Sequence, residues 1–505
     1  MSELTLDTLI DDGNYLGSER ARQENRMLLD ELERKKKARS LAVPTDDNKV
    51  KARLREIGEP ITLFGERAAD RRDRLIYVLS QINAARGDDA MQVDEDSSSD
   101  ESEEEVEEFY TPGSLELLEA RRRIAEYSLP RAQKRVAQQR LDSKIPLGRI
   151  IDIRKKIFAE VRRVAELGSQ IGDDRPISQV RFSPNSQILV TGSWSGNVKL
   201  WNIPNCTPIR TLRGHTDRVG GVAWHPQATL TQSGDTVNLV SGAGDMNVNL
   251  WSINSETPLA TLKGHADRIC RVAFHPSGDY VASASFDTSW RLWDVATSKE
   301  LLLQEGHSKE VYSVEFQEDG ALAASGGLDA IGRVWDLRTG RTAMVLDGHV
   351  QGILSIAFSP NGYQIATGSA DDTIRIWDMR SLKALYTIPG HLSNVADVRF
   401  FHGTDVCYAP LAPAEDVDMS SDADDKARAQ EAEERKYRAG LYMASAGYDG
   451  LVKIWSADDW QLLRTLPTDG GKVMSVDLSK DGKYLASGTY NRNFQMFAPD
   501  ESVLG

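Results

Sequence analysis

From about residue 166 onward, apolar residues come in short, often β-branched runs such as "VYSVEF" (311–316), "ALAASG" (321–326) and "GRVWD" (332–336). Turn signals such as "HPSG" (275–278) and "SPNG" (359–362) separate them, so the pattern predicts many short strands. Upstream the spacing changes. Val50, Leu54 and Ile57 share a helical face, and Gly58 is placed to end that helix. Leu75, Val78, Leu79 and Ile82 do the same for a second helix, making residues 46–82 a helix–turn–helix miniature too small to bury a full core. "SLELLEARRRIAEY" predicts a helix capped by Ser114, divided at Pro130 from a second, "RAQKRVAQQRLD". Ile150, Ile153, Ile157, Phe158, Val161 and Val164 predict another over 149–165, its stripe suited to packing on a neighbour.

The strand-rich region repeats. Gly-His recurs at 214–215, 264–265, 306–307, 348–349 and 390–391, the last four copies stepping by 42 residues. Each is followed by a Trp: Trp251, Trp293, Trp335, Trp377 and Trp455. Ten residues before each Trp stands Ser241, Ser283, Ser325, Thr367 or Ser445; six before stands Asp245, Asp287, Asp329, Asp371 or Asp449. Degenerate copies at Trp201 and Phe497 bring the count to seven. Four short strands per repeat fit one propeller blade. The pattern resembles the WD-repeat (WD40) family and implies a mainly β, seven-bladed β-propeller over 166–500, preceded by an α-helical region. In that family the His, Ser/Thr, Asp and Trp side chains form one buried network per blade. This gives His215, His265, His307, His349 and His391 a structural role. Five copies of one Ser/His/Asp spacing, each with a Trp donor, argue against a catalytic triad.

The end units differ. Asp173 and Asp469 stand at the His positions, Ser195 and Asn491 at the Asp positions, so the join of first and last blades reads as a weaker seam without the network. Little chain follows Phe497, and "ELGSQI" (166–171) is expected to supply the missing fourth strand. One unit carries an insertion near "TLTQSGD", and another a polar, acidic insertion over 403–438 expected to be a mobile surface loop.

Charge divides the chain further. The net charge of −15 argues against wholesale coating of nucleic acid. Residues 88–108 hold twelve acids and no base, so 83–112 reads as a disordered linker, its serines at 97–102 suited to an acid-directed kinase. Residues 109–165 invert the sign, with fourteen Lys/Arg against six acids. Arg121, Arg122, Arg123, Lys134, Arg135, Arg154, Lys155, Lys156, Arg162 and Arg163 are the candidate RNA-phosphate contacts; a solvated helix face is the bland alternative. Residues 1–45 read as a flexible segment with one helix, 19–39, ending in "RKKKAR". The N-terminus lacks the basic and apolar regions of a signal peptide, and no 18-residue apolar run exists to cross a membrane. Three scattered cysteines suit a reducing compartment. No metal-ligand spacing or cofactor motif is present, and His402 has no evident catalytic partner.

One stretch fits none of this: "GEPITLFGE" (58–66). Pro60 forces an extended segment, and Ile61, Leu63 and Phe64 offer more apolar surface than so small a unit can hide. "LREIGEPITLFGE" resembles the splicing-factor motif of the pre-mRNA processing factor four family, in which an acidic linker, basic helices and a seven-bladed propeller follow. The resemblance implies a nuclear, non-catalytic scaffold of the U4/U6 particle and of the tri-snRNP it forms with U5. It also implies processing factor three, other tri-snRNP proteins, U4/U6 snRNA and a spliceosomal cyclophilin as partners. The alternative is a generic adaptor such as a ubiquitin-ligase substrate receptor, which the propeller alone permits. Within the propeller, the residue seven before each Trp falls in the turn bordering the upper rim in WD propellers. Trp194, Tyr448 and Tyr490 occupy it on adjoining blades, and Phe286 further round. Arg175, Arg218 and Arg268 flank this arc, which is the candidate protein-binding surface; packing on the chain's own helices is its alternative.

Overall fold

The computed structural model describes residues 47–61, most of 71–79, 113–142, 147–403 and 440–499 apart from Gly470. The expected segments 1–45 and 83–112, nearly all of the 403–438 insertion, and Leu63 and Phe64 lie outside the described residues. The chain divides into two units, Met1–Glu104 and Glu105–Gly505.

In the first unit, helix α1 (Asp47–Ile57) ends where the sequence places its stop. Gly58 takes φ 85°, which only glycine adopts without strain. The Gly58 N–H donates to the Arg55 carbonyl at 3.1 Å and the Glu59 N–H to the Leu54 carbonyl at 3.0 Å, the paired bonds of a Schellman cap. Val50, Leu54 and Leu75 form a small buried cluster, with Ile57 and Leu79 packed against it.

The second unit holds seven four-stranded antiparallel sheets. Blades one to six run consecutively over residues 177–212, 219–263, 269–304, 311–347, 353–389 and 395–467. Blade seven takes three strands from 473–499 and its outermost from β1 (Val164–Ile171), which pairs antiparallel with the last strand, Asn493–Pro499. The upstream strand therefore closes the ring, as the sequence requires. The sixth blade forms on both sides of its insertion.

Two helices precede β1. Helix α2 (Leu115–Asp142) starts at the expected cap: the Leu117 N–H donates to Ser114 Oγ at 3.2 Å. It does not break at Pro130. One helix of 28 residues runs through, with the proline inside. Proline removes one backbone bond, but tertiary contacts on both sides of it keep the helix continuous. Leu117, Ala120 and Ile124 are buried against blades three and four, and Tyr127 donates to the Pro276 carbonyl at 2.9 Å. Beyond the proline, Arg135 pairs with Asp319 at 2.7 Å. Helix α3 (Leu147–Arg162) buries Ile157 and Val161 against Phe401, Tyr442 and Phe497 of blades six and seven. Among the described residues no helix is long and apolar enough to cross a membrane.

Candidate binding surfaces

Blades two to six share one hydrogen-bonded set. In blade four the Trp335 indole N–H donates to Ser325 Oγ at 2.8 Å, Ser325 Oγ lies 2.8 Å from His307 Nε2, and His307 Nδ1 lies 3.0 Å from Asp329. The same contacts recur through Trp251, Trp293, Trp377 and Trp455. Each Asp also accepts a backbone N–H just past its His, such as Val350 for Asp371 at 3.1 Å. Burial disfavours the charged form of Asp371, but bonds from Thr373, His349 and the Val350 amide outweigh it and bring its pKa down to about 2. Burial pushes His349 and His391 below the ordinary histidine value. Each set has the members of a hydrolytic triad but not its access. The hydroxyl residues are buried, and each already holds a Trp N–H where a substrate would have to sit.

The end blades depart in two ways. Blade one does not lack a network, as the sequence suggests; it has a rewired one. Trp201 donates to Thr191 Oγ1 at 2.9 Å, while Asp173, in the His place, is hydrogen-bonded by Ser195 and paired with Lys199 at 3.0 Å. An Asp on the link and a Ser in the turn exchange the roles that His and Asp play elsewhere. Blade seven has Phe497 for Trp, and Ser487 Oγ has no partner among the described residues.

A second network, absent from the sequence reading, lies in the channel. Asp397 of blade six accepts from Ser475 Oγ of blade seven at 2.7 Å, Ser355 Oγ of blade five at 3.1 Å and Arg181 of blade one at 3.1 Å. Burial opposes its ionisation, but the nearby Arg181 and Arg399 guanidiniums hold it at about 2. Arg399 also reaches past blade five to Glu315 of blade four at 2.8 Å. The groups come from strands far apart in sequence, which is why periodicity does not reveal them. Their one shared signal is a polar residue at the third or fifth position of an inner strand.

Because each blade is an antiparallel meander, its successive turns alternate between the two faces of the disc. The turns carrying the rim residues lie on one face, here called upper. The rim residue N–H donates to the residue just ahead of an inner strand: Tyr490 to the Lys472 carbonyl and Tyr448 to that of Asn394, both at 2.9 Å. Trp194 and Tyr490 meet edge to face, ring centres 5.7 Å apart. Arg218 lies over Trp194 at 5.4 Å, Arg268 over Phe286 at 3.7 Å and Lys472 over Tyr448 at 5.3 Å. The sequence pattern of the rim does not mark Lys472. It stands directly ahead of its inner strand, as Arg218 and Arg268 do, and that register would have found it. Arg175 is exposed and stands one place earlier, before Pro176. Tyr490 remains 45% exposed.

Helices α2 and α3 lie on the opposite, lower face. Besides the turns at Pro276 and Asp319, α2 meets Lys299 through Glu116 at 2.8 Å, and Gln139 donates to the Asn361 carbonyl at 2.7 Å. Helix α3 meets Asp458 through Arg154 at 2.9 Å. Neither helix therefore covers the rim. This also sorts the basic residues. Arg135 and Arg154 hold the helices to propeller carboxylates, and the Arg121 guanidinium lies against Gly340. Arg122, Arg123, Lys134, Lys155, Lys156, Arg162 and Arg163 are exposed. In the first unit, Ile61 is half-buried, and its carbonyl lies 3.5 Å from Arg74 Nη2.

Comparison with known proteins gives two family matches. The model for "pre-mRNA processing factor 4 (PRP4) like" proteins matches residues 50–78. The model for the WD domain, G-beta repeat, matches 165–202, 206–252, 256–294, 298–336, 340–378 and 460–497. The gap before the last stretch is the blade split by the insertion. Neither is an enzymatic family. Over 214 residues the chain is 45% identical to the mouse protein named U4/U6 small nuclear ribonucleoprotein Prp4, covering 42% of this chain and 40% of the mouse protein. A human protein of the same name is 45% identical over 207 residues, 40% of this chain and 39% of its own. A Saccharomyces cerevisiae protein named U4/U6 small nuclear ribonucleoprotein PRP4 is 31% identical over 200 residues, 37% of this chain and 40% of its own. The chain thus spans about 40% of the length of these relatives.

Proposed function

We propose that this WD-repeat β-propeller, which carries the processing-factor-4-like motif ahead of its blades, is a nuclear, non-catalytic scaffold subunit of the U4/U6 small nuclear ribonucleoprotein and of the U4/U6.U5 tri-snRNP. One observation carries the reading: a rare motif at 50–78 precedes a common fold in a chain 45% identical, where aligned, to relatives named for that particle. The division of surfaces supports it. The upper rim offers stacked aromatics beside cations, residue types that dominate protein-binding hot spots, and suits a segment of processing factor three lying across blades six, seven and one. The exposed cations of α3 suit U4/U6 RNA phosphates. The motif, with Ile61, Leu63 and Phe64, suits docking to a protein of the particle, and a spliceosomal cyclophilin is a further partner of the N-terminal region.

Purification of the tagged chain from nuclear extract tests this. U4 and U6 RNAs are expected to co-purify; cullin-type subunits without those RNAs would make the chain a ubiquitin-ligase adaptor instead. The RNA surface is tested separately by Lys155→Glu with Arg162→Glu and Arg163→Glu. Arg154 is left intact because it holds α3 to Asp458. RNA affinity should fall and its dependence on salt should flatten. Unchanged affinity across several salt concentrations would remove α3 from the RNA surface.

A further inference from the structure

The innermost strand of each blade turns an unpaired edge to the channel, and four junctions between blades satisfy that edge in one way. The third residue of one inner strand accepts the N–H of the fourth residue on the next blade. Gln179 takes Val222 at 2.7 Å, Ser355 takes Val398 at 3.0 Å, Asp397 takes Val476 at 3.3 Å and Ser475 takes Val180 at 3.4 Å. Blades two to four break the series. Gly221 has no side chain, Ser313 Oγ is buried with no partner among the described residues, and Arg271 can only donate. Arg271 is 8% exposed. Its Nη1 donates to the Gly220 carbonyl at 2.7 Å and lies 3.5 Å from that of Cys270, and its guanidinium carbon lies 5.5 Å from the centre of the Tyr312 ring. Among the described residues no carboxylate pairs with it.

The acids of the channel are already engaged. Asp397 holds Arg181, Glu315 holds Arg399, and Asp477 accepts the Phe182 N–H at 2.7 Å. Guanidiniums and carboxylates balance in number, but not in contact, and burial pushes Glu315 and Asp477 above the ordinary carboxylate value. Arg181 leans away from its own blade: Nη1 donates to Ser475 Oγ and to the Val476 carbonyl, both at 3.1 Å. Its Nη2 is buried without a partner among the described residues. In a ring of seven, blade three stands opposite blades six and seven, so Arg271 and Arg181 approach the channel from opposite sides. Burial lowers the Arg181 pKa, and the like charges of Arg399 and Arg271 lower it further. We propose that the channel binds one free oxyanion of the phosphate class between Arg271 and Arg181. A phosphate turns oxygens to both sides at once, whereas a carboxylate has its two on one side. An RNA backbone does not reach the place, because both arginines are buried in the channel wall. The site stands whether or not the particle proposed above is the chain's home.

The probe is inorganic phosphate, titrated into the full chain in Tris-chloride buffer and read by calorimetry and by thermal melting. One phosphate per chain is expected to bind saturably. The melting temperature should rise with phosphate and not with sodium chloride at equal ionic strength. Arg271→Met should weaken binding at least about tenfold and, without phosphate, melt no lower than the native chain, because it leaves no carboxylate behind. Arg271→Lys keeps the charge without the fork and should bind between the two. Lys155→Glu with Arg162→Glu and Arg163→Glu should bind phosphate as the native chain does. Absence of saturable binding, or equal binding by Arg271→Met, overturns the proposal. So does loss of binding in the α3 variant alone, which would place the phosphate on exposed surface cations. An Arg271→Met chain that melts much lower in phosphate-free buffer also overturns it, since Gly220 and Tyr312 would then satisfy the guanidinium by themselves.

Discussion

Blades two to six and the seam formed by blades seven and one are built on the same four-stranded plan but hold together differently. In the five regular blades, one Trp–Ser/Thr–His–Asp set ties the second and third strands to the link between blades, copy after copy. At the seam that set is rewired in blade one and, among the described residues, missing in blade seven. Other devices stand in its place: β1 borrowed from upstream, and Asp397, which joins blades five, six, seven and one inside the channel. Repetition marks what serves the fold. Departure from repetition marks closure, and the rim aromatics Trp194 and Tyr490 face each other across that same departure.

The comparison breaks most easily at Asp397. Replacing it with Ala leaves Arg181 buried without its carboxylate, and removing one member of a buried pair costs about 3–5 kcal/mol. Guanidinium denaturation of Asp397→Ala should show that loss. Asp397→Leu with Arg181→Met should restore part of it, because the buried pair is then removed together while Arg399 keeps Glu315. A loss below about 1 kcal/mol would mean β1 alone closes the ring.

The rim should respond in affinity rather than stability. Trp194→Ala with Tyr490→Ala is expected to cost at least about 2 kcal/mol of binding to processing factor three, measured by titration calorimetry, with little change in melting. Normal binding would move the partner to another surface. A much lower melting temperature would make the pair a structural clasp of the seam.

Acid should tell the regular blades from blade one. Asp371 titrates in the folded chain at about 2, below its ordinary value. Its share of stability, about 2 kcal/mol, is therefore complete above about pH 4 and lost as pH falls through about 2. His349 and His391 are held below their ordinary value by burial, so the unfolded chain takes up their protons first, near about pH 6.5. Stability should decline from there downward, the same sign as the carboxylate step. Blade one has Asp173 but no His, so it contributes only the lower step. Urea midpoints between about pH 3 and 7 should show a shallower upper slope in His349→Gln than in the native chain. An unchanged slope would place the titration elsewhere.

The regular blades are legible in the sequence because each blade's set is fixed by local spacing and repeated. The need for β1 is legible because a missing strand leaves an edge. Ser114 and Gly58 are legible because caps are local. Pro130 is not: its break is a property of an isolated helix, and burial of Leu117, Ala120 and Ile124 on one side and the Arg135–Asp319 pair on the other override it. The Asp173–Ser195 exchange in blade one escapes because it swaps residue types while keeping a hydrogen bond. The Asp397 hub escapes because its partners lie on other blades. The separation of Arg135 and Arg154 from the exposed cations is likewise invisible in a count of charges.

The smallest expected difference gives a direct comparison of the two regions. Ser325 in blade four and Ser487 in blade seven occupy the same register position, and both are buried. Ser325 Oγ receives the Trp335 N–H and lies 2.8 Å from His307 Nε2. Ser325→Ala leaves both rings short of a partner and should cost about 1–2 kcal/mol. Ser487 Oγ has neither, because Phe497 replaces the Trp and Asp469 stands at the His position. Ser487→Ala removes a buried hydroxyl that satisfies nothing among the described residues, and should change stability by less than about 0.5 kcal/mol. Thermal denaturation of the two single variants, made in the same chain, reads the difference. Equal losses would mean that blade seven holds its own set through residues other than those at the repeat positions, and the contrast between regular blades and seam would then rest on the channel alone.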